Sequence, residues 1–458
     1  MTIIVRVMVL QSSIKMRKNL RLAVVVAWVG VLLPPLFLLG FLAVKAVDVP
    51  FWDQWELVPI IQDYKNDRLT FTDFWHQHNE HRIFFPRLVM VGLAALTKWN
   101  VKVEALCGLL IAGVAFVLLL KTLDNTLKKP IRSAAKRAYP LWVPPLFSLI
   151  WFSLVQWENW MWGWQIQWYL CVLGVMCVVY GLSLARTKVL PARVLLLLIG
   201  GGVLAQYSLG NGVLIWPVLI AGLLYRRTNI KQVISLAVIG LTTTFLYYLH
   251  YVNPPGSPPK GYALRHPLGA MEYFFAYLGR PLSYVHLLAP ILGVLIFVTF
   301  VGVIILAYLK KKKDLDAELP WITLGLFAIG SAIITDLSRL GFGLFQGYSN
   351  RYTTISSLLL IATLVLAFHN REIWGKYVRK VNLRFVSGSL LIILVVLLGT
   401  NYISGTRQAL SQSHYLRDIH NCTHQQTPPD VCLLSAYPNK KIVLPRLQYL
   451  KQIHWGGY

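Results

Sequence analysis

The segment that decides the fold is an uncharged apolar run, LAVVVAWVGVLLPPLFLLGFLAV, at positions 22–44. A helix needs about 20 apolar residues to cross the hydrocarbon core of a bilayer, and this run is long enough. The apolar part of a cleaved signal peptide is shorter, about 7–15 residues. We therefore expect the run to be retained as a transmembrane helix.

Ten further apolar runs follow the first one along the chain. They cover positions 103–122, 139–156, 165–184, 194–208, 212–225, 232–250, 286–309, 320–337, 353–369 and 384–402. With 56% hydrophobic residues, 14% charged residues and a mean hydropathy of +0.57, the chain is not an ordinary soluble globular protein. The sequence predicts an all-α, polytopic integral membrane protein with about eleven transmembrane helices. The segment 194–225 is the least defined, because Gly210 and Gly212 are compatible with a tight turn or a kink.

The net charge of +26 is distributed unevenly between alternate loops. The basic loops are 1–21, 121–138, 185–193, 226–231, 310–319 and 370–384. They contain 26 of the 44 Lys and Arg residues but five of the 18 acidic residues. This pattern is typical of cytoplasmic loops that face anionic lipids, and it argues against nucleic acid as a partner. We expect a multi-pass membrane protein with a cytoplasmic N-terminus and, with eleven spans, a C-terminus on the outer face.

The chain divides into a transmembrane domain, residues 1–402, and an outer-face C-terminal tail, residues 403–458. The transmembrane domain includes an amphipathic first outer loop at 45–102. Cys422 and Cys432 lie in the tail, where an oxidising compartment favours a disulfide between them.

Titratable side chains are concentrated directly after the first span, in FWDQWELVPIIQDYKNDRLTFTDFWHQHNEHRIFFPR at positions 51–87. Asp53 lies between Trp52 and Trp55, close to the predicted membrane boundary. A partly desolvated carboxylate is a good proton acceptor, so we predict that Asp53 acts as a general base. Glu56 is a second catalytic candidate. The alternative is an interfacial acid beside membrane-belt tryptophans.

Two outer segments contain side chains suited to binding a substrate phosphate. The candidates are His78, Glu80, His81, Arg82 and Arg87 of the first outer loop and Arg351 and Tyr352 of a later outer turn. Guanidinium groups bind phosphate through two parallel donors, and imidazoles can assist them. Two alternatives remain: a hydrated amphipathic helix, or a divalent metal ion bound by the histidine pair at i, i+3. No metal ligands are assigned, since no established ligand spacing is present.

The segment 156–168, QWENWMWGWQIQW, combines tryptophans with amide side chains. Flat rings beside amides suit carbohydrate hydroxyls, so Trp157, Glu158, Trp160 and Trp164 are predicted to form a sugar platform. An aromatic belt at the membrane surface is the alternative for the tryptophans.

The patterns FWDQW, HNEHRIFFPR, SLGNGVLIWP and SNRYTT, together with the span count, resemble a group of bacterial membrane proteins of the GT-C glycosyltransferase type. Members of the GT-C superfamily take a sugar from a polyprenyl-phosphate donor on the outer face of the membrane. The resemblance implies that Asp53 is the base. Many members carry paired acids at this point, whereas here Gln54 follows Asp53.

The resemblance therefore implies a glycosyltransferase of the bacterial inner membrane, with its C-terminus in the periplasm. It implies a polyprenyl-phosphate-linked sugar as donor and a glycan, lipid or protein as acceptor. Membrane lipids are further partners. Cofactor use stays open between none and a divalent metal ion. Three alternatives also remain: a transporter or flippase for a lipid-linked glycan, a glycan ligase or polymerase, and a membrane scaffold.

Overall fold

The computed structural model describes residues 2–127, 139–185, 187–311, 314–373 and 383–458. Within these ranges the chain is helical and contains no strand. This confirms the all-α prediction. One isolated β-bridge joins His78 and His81.

The α-helices are numbered in chain order. They are α1 (Thr2–Lys45), α2 (Val58–Lys65), α3 (Phe71–Trp75), α4 (Phe84–Thr97), α5 (Val101–Leu127), α6 (Val143–Trp151), α7 (Trp157–Met161), α8 (Ile166–Leu184), α9 (Ala192–Gln206), α10 (Ile215–Tyr225), α11 (Ile230–Tyr248), α12 (Tyr262–Arg265), α13 (Pro267–Gly279), α14 (Leu288–Lys310), α15 (Leu319–Arg339), α16 (Thr353–His369), α17 (Leu383–Thr423), α18 (Asp430–Ala436) and α19 (Lys440–Ile453). Short 3-10 helices cover Trp52–Leu57, Leu154–Gln156, Gly163–Gln165, Gly210–Leu214, Leu340–Phe342, Leu344–Tyr348 and Asn350–Tyr352.

Seven helical segments in the described ranges are long and apolar enough to cross a membrane. They are Arg21–Lys45, Val101–Thr126, Gly163–Leu184, Ile230–Tyr248, Leu288–Lys310, Leu319–Phe342 and Asn350–His369. Each overlaps one of the predicted spans. The chain is therefore a multi-pass helical membrane protein, and the finer prediction of eleven spans rests on four further segments.

Those four segments are shorter or differently bounded than predicted. The run 139–156 contains α6, which has nine residues and is followed by a 3-10 turn. The runs 194–208 and 212–225 correspond to α9 and α10, a hairpin of two short helices. The run 384–402 belongs to α17, which continues without interruption into the predicted tail.

The connection between α9 and α10 is a tight turn. A Cβ atom on Gly212 would lie 1.9 Å from the carbonyl oxygen of Ala205, so the two helix ends touch at this glycine. The segment around Gly210 and Gly212 is thus a turn and not a kink in one long helix.

The predicted inner loops meet at one end of the bundle. Arg226 donates hydrogen bonds to the carbonyl oxygens of Leu182 and Ala185, at 2.9 and 2.8 Å. Its Nε atom lies 3.8 Å from a carboxylate oxygen of Asp316. The predicted outer segments meet elsewhere, around the cavity described below.

Among the described residues, two large hydrophobic cores and one small cluster stabilise the structure. The larger core lies between the long helices, and apolar burial of this kind contributes roughly 25 cal/mol per Å². The smaller core joins the first outer loop to the C-terminal tail and includes Trp55, Ile61, Leu433 and Leu447. The tail is therefore packed on the loop that contains Asp53.

Candidate functional site

A cavity of about 680 Å³ lies where the predicted outer segments converge. It is lined by Phe51, Trp52, Asp53, His78, Asn79, Glu80, His81, Trp157, Glu158, Met161, Trp162, Trp164, Gln165, Gln167, Trp168, Leu209, Asn211, Thr335, Ser338, Arg339, Phe342, Gln346, Arg351, Tyr352, Gln412 and Tyr415. Segments far apart in sequence thus share one polar chamber, whose size suits a small-molecule ligand.

Asp53 reaches the cavity from the 3-10 helix Trp52–Leu57. The next residue, Gln54, is buried and donates a 2.6 Å hydrogen bond to Glu104 on α5. Glu104 also accepts a 2.9 Å bond from the indole of Trp99. Gln54 therefore anchors the turn to α5, and an acid at this position would put a second carboxylate beside Glu104.

A tight turn presents the histidines of the first outer loop. The backbone groups of His78 and His81 exchange two 2.8 Å hydrogen bonds, and Asn79 adopts a left-handed conformation with φ of +46°. Nδ1 of His81 accepts a 3.3 Å bond from the backbone N–H of Gly210. A Cβ atom on Gly210 would lie 2.6 Å from that nitrogen, so this close contact requires glycine.

Asp53 and His78 form the central pair of the cavity. An oxygen of Asp53 lies 3.7 Å from Nε2 of His78, and the imidazole packs edge-on against Trp164 at 4.9 Å between ring centroids. The Asp53 side chain is 29% exposed, whereas that of His78 is 11% exposed. The carboxylate is therefore accessible to a ligand while the imidazole is held in place by an aromatic wall.

Two arginine–carboxylate pairs line the same cavity. Arg339 binds Glu80 at 2.7 Å, and Nε of Arg351 lies 3.3 Å from Glu158. Ser349 bridges the second pair, since its hydroxyl accepts from Arg351 and donates to Glu158. The side chains of Arg339 and Arg351 are 30% and 36% exposed, so both guanidinium groups are partly accessible from the cavity.

Three side chains of the aromatic and amide-rich wall carry unpaired polar atoms. Trp164 Nε1, Gln165 Oε1 and Gln167 Oε1 are buried and have no hydrogen-bond partner within the described residues. Buried polar groups are almost always paired, by protein, water or ligand. These three atoms have almost no exposed surface, so they belong to the packed interior of the wall and do not face the chamber.

The predicted sugar platform reaches the cavity in part. Trp157, Glu158 and Trp164 line it, whereas Trp160 is fully buried and stacks on Tyr169 at 4.5 Å. The chain turns after α7 through the 3-10 helix Gly163–Gln165, so Trp164 faces the cavity while Trp160 packs inside the bundle.

Arg82 and Arg87 lie outside the cavity lining. Arg82 donates to the carbonyl oxygens of Trp75, Tyr247 and Leu249, the first two at 2.9 and 2.6 Å. Arg87 is buried and donates to the carbonyl oxygens of two residues in the α3 region, Phe74 and His76. These guanidinium groups hold loops together, so the structure does not bring them to a substrate phosphate.

Glu56 also points away from the cavity. Its carboxylate accepts a 2.6 Å hydrogen bond from Tyr437 and lies 3.5 Å from Arg446, both in the C-terminal tail. The structure therefore brings together Asp53, His78, Glu80, His81, Arg351 and Tyr352, but it leaves Glu56 outside the cavity.

The tail and one turn contribute residues that sequence reasoning did not assign to a site. Gln412 and Tyr415 line the cavity from α17, and Asn211 lines it from the α9–α10 hairpin. Arg339 lines the cavity from the end of α15. The clustering of polar residues at the predicted outer ends of the helices was the available signal for a site. The packing that brings these helices together is not encoded in local sequence.

The described residues contain no group of three or more His, Cys, Asp or Glu side chains placed to bind a metal ion. In the tail, Cys422 and Cys432 are joined in a disulfide, with their Cα atoms 6.0 Å apart. The other three cysteines are free and lie in helices.

No family model, curated protein or solved structure matches the chain. The site must therefore be interpreted from its own geometry.

Proposed function

We propose that this protein is a GT-C type glycosyltransferase that moves a sugar from a polyprenyl-phosphate donor to a hydroxyl acceptor on the outer face of the membrane. The observation that carries the proposal is the cavity in which an accessible carboxylate, two arginines and an aromatic, amide-rich wall converge. The carboxylate suits proton transfer from a hydroxyl, and the arginines suit a phosphate group.

In the proposed reaction, Asp53 takes the proton from the acceptor hydroxyl. The acceptor oxygen attacks the anomeric carbon, the bond from that carbon to the phosphate oxygen breaks, and polyprenyl phosphate leaves with the electron pair. A single displacement inverts the configuration at the anomeric carbon. His78 lies beside Asp53, with its Nε2 atom 3.7 Å from the carboxylate.

The binding roles follow the chemistry of the cavity walls. Arg339 and Arg351 stabilise the charge that develops on the departing phosphate, which is the main electrostatic task in such a transfer. This proposal replaces the predicted roles of Arg82 and Arg87, whose donors are used by backbone carbonyls. Trp164, Gln165 and Gln167 belong to the wall against which the sugar packs.

The test is replacement of the base without changing its shape. Asp53→Asn is expected to lower the transfer rate by about 10²–10⁴-fold, the usual contribution of a general base. Mass spectrometry of lipid-linked sugars should then show one polyprenyl-phospho-sugar accumulating, as in cells that lack the protein. Asp67→Asn is the matched control, because Asp67 is exposed in the same outer loop and lies outside the cavity lining. Near-normal transfer by Asp53→Asn would exclude Asp53 as the base.

A further inference from the structure

The 3-10 helix Trp52–Leu57 sends three side chains in three directions. Asp53 lines the cavity, Gln54 bonds to Glu104 on α5, and Glu56 bonds to the C-terminal tail. Because this six-residue turn is bonded on both sides, it supports the Asp53 carboxylate rigidly. One of these anchors comes from the far end of the chain.

The C-terminal tail binds this turn through two side chains. The Tyr437 hydroxyl donates a 2.6 Å hydrogen bond to Glu56, and Arg446 donates a 2.8 Å bond to the carbonyl oxygen of Trp55. The same guanidinium lies 3.5 Å from the Glu56 carboxylate. Burial, together with the bond to Glu56, raises the pKa of Tyr437 well above its usual value, so its hydroxyl remains a donor.

The helices that carry Tyr437 and Arg446 are themselves held in place. Leu433 on α18 and Leu447 on α19 are buried in the apolar core that contains Trp55. The disulfide between Cys422 and Cys432 ties α18 to the end of α17. The tail is therefore a packed helical segment and does not lie loosely over the site.

We propose that the C-terminal segment 430–453 sets the position of Asp53 through Glu56, with Tyr437 and Arg446 as positioning residues. The expected effect on the transfer rate rests on the proposed function. The expected effect on the position of Asp53 does not. Because Asp53 and Glu56 belong to one short turn, releasing Glu56 shifts Asp53 relative to the acceptor. A shift of about 1 Å in a catalytic group can cost a hundredfold in rate.

The structural test is hydrogen exchange of the full-length purified protein. Tyr437→Phe removes the one hydroxyl that binds Glu56, and we expect exchange of residues 51–57 to become roughly fivefold faster or more. The matched control is Tyr449→Phe, since the Tyr449 hydroxyl makes no hydrogen bond within the described residues and its ring packs in the same core. Unchanged exchange in Tyr437→Phe, or an equal rise in Tyr449→Phe, overturns the proposal.

The kinetic test uses the lipid-linked sugar that accumulates in cells lacking the protein. Tyr437→Phe should lower kcat roughly ten- to a hundredfold with KM unchanged, because the binding walls are intact. A higher KM with normal kcat contradicts positioning of the base. If the wild-type protein transfers no sugar, the proposed function fails, while the exchange experiment still decides the positioning role.

A pair of substitutions at Glu56 separates positioning from direct catalysis. Glu56→Gln keeps an oxygen that accepts from Tyr437, and it should retain most of the wild-type kcat. Glu56→Leu loses that acceptor, and its kcat should fall like that of Tyr437→Phe. Equal inactivity of both variants would mean that Glu56 acts through its charge, and the positioning role through Tyr437 would be wrong.

Discussion

At the scale of single residues, the environment of each arginine separates structural from binding groups. The guanidinium of Arg82 is buried against three backbone carbonyls, whereas that of Arg339 is 30% exposed beside one carboxylate. Both arginines lie in predicted outer segments, and their sequence surroundings do not distinguish them. Only their contacts in the folded structure assign Arg82 to the loop framework and Arg339 to the cavity.

Replacing Arg82 should therefore affect folding more than binding. Arg82→Ala leaves buried carbonyl oxygens unpaired, and we expect a loss of about 3 kcal/mol in the free energy of unfolding. Arg339→Gln breaks a partly exposed pair and should cost less than about 1 kcal/mol. Thermal unfolding of both variants in detergent measures the difference. Equal destabilisation would contradict the assignment of Arg82 to the framework.

His81 gives the molecule a pH-dependent stability. Desolvation lowers the pKa of His81 from 6.5 to about 4, and its Nδ1 already accepts a bond from Gly210. The unfolded chain binds a proton at higher pH than the folded chain does, so stability falls as the pH decreases from about 6.5 to about 4. The loss is at most about 3 kcal/mol.

His81→Asn keeps a short side-chain acceptor near Gly210 but cannot titrate. Its melting temperature in detergent should therefore depend less on pH between about 6.5 and about 4 than that of the wild-type protein. The same dependence in both proteins would show that other groups cause it.

At the scale of elements, the contact between the 3-10 helix Gly163–Gln165 and α5 leaves no room for a side chain. A Cβ atom on Gly163 would lie 2.5 Å from the side chain of Glu104, which anchors Gln54. Gly163→Ala should destabilise the protein by about 1–3 kcal/mol and lower transfer. Gly113→Ala is the control, because no atom lies within 4 Å of its added methyl group and alanine favours a helix by about 1 kcal/mol. A stable, active Gly163→Ala variant would show that the Gln54 anchor is dispensable.

The sequence predicts the long helices well, but it predicts the interrupted helical segments poorly. Apolar length alone locates α5 and α14, because a bilayer imposes a minimum helix length. It fails at α6 and α7, where the chain turns repeatedly between Trp151 and Ile166 to place side chains around the cavity. Hydropathy does not distinguish such a broken segment from a continuous span. The same breaks explain why Trp164 and Trp157 reach the cavity while Trp160 does not.

At the scale of the whole molecule, the charge pattern predicts which loops share a side of the membrane. Asn66 is exposed in the first outer loop, and Lys188 is exposed in a basic inner loop. Asn66→Cys should react with a membrane-impermeant maleimide in intact spheroplasts, whereas Lys188→Cys should react only after permeabilisation. The reverse pattern would place Asp53 in the cytoplasm and exclude the proposed reaction.

The short hairpin of α9 and α10 has a consequence for the electric field across the membrane. Helices of 15 and 11 residues extend about 22 and 16 Å, less than the roughly 30 Å of bilayer hydrocarbon. The hairpin tip at Leu209 and Asn211 forms part of the cavity wall, so we expect the chamber to extend below the level of the lipid headgroups. The insulating layer beneath it should then be thinner than elsewhere, and the membrane voltage should fall more steeply there. We expect an anion bound in this chamber to experience part of the membrane potential.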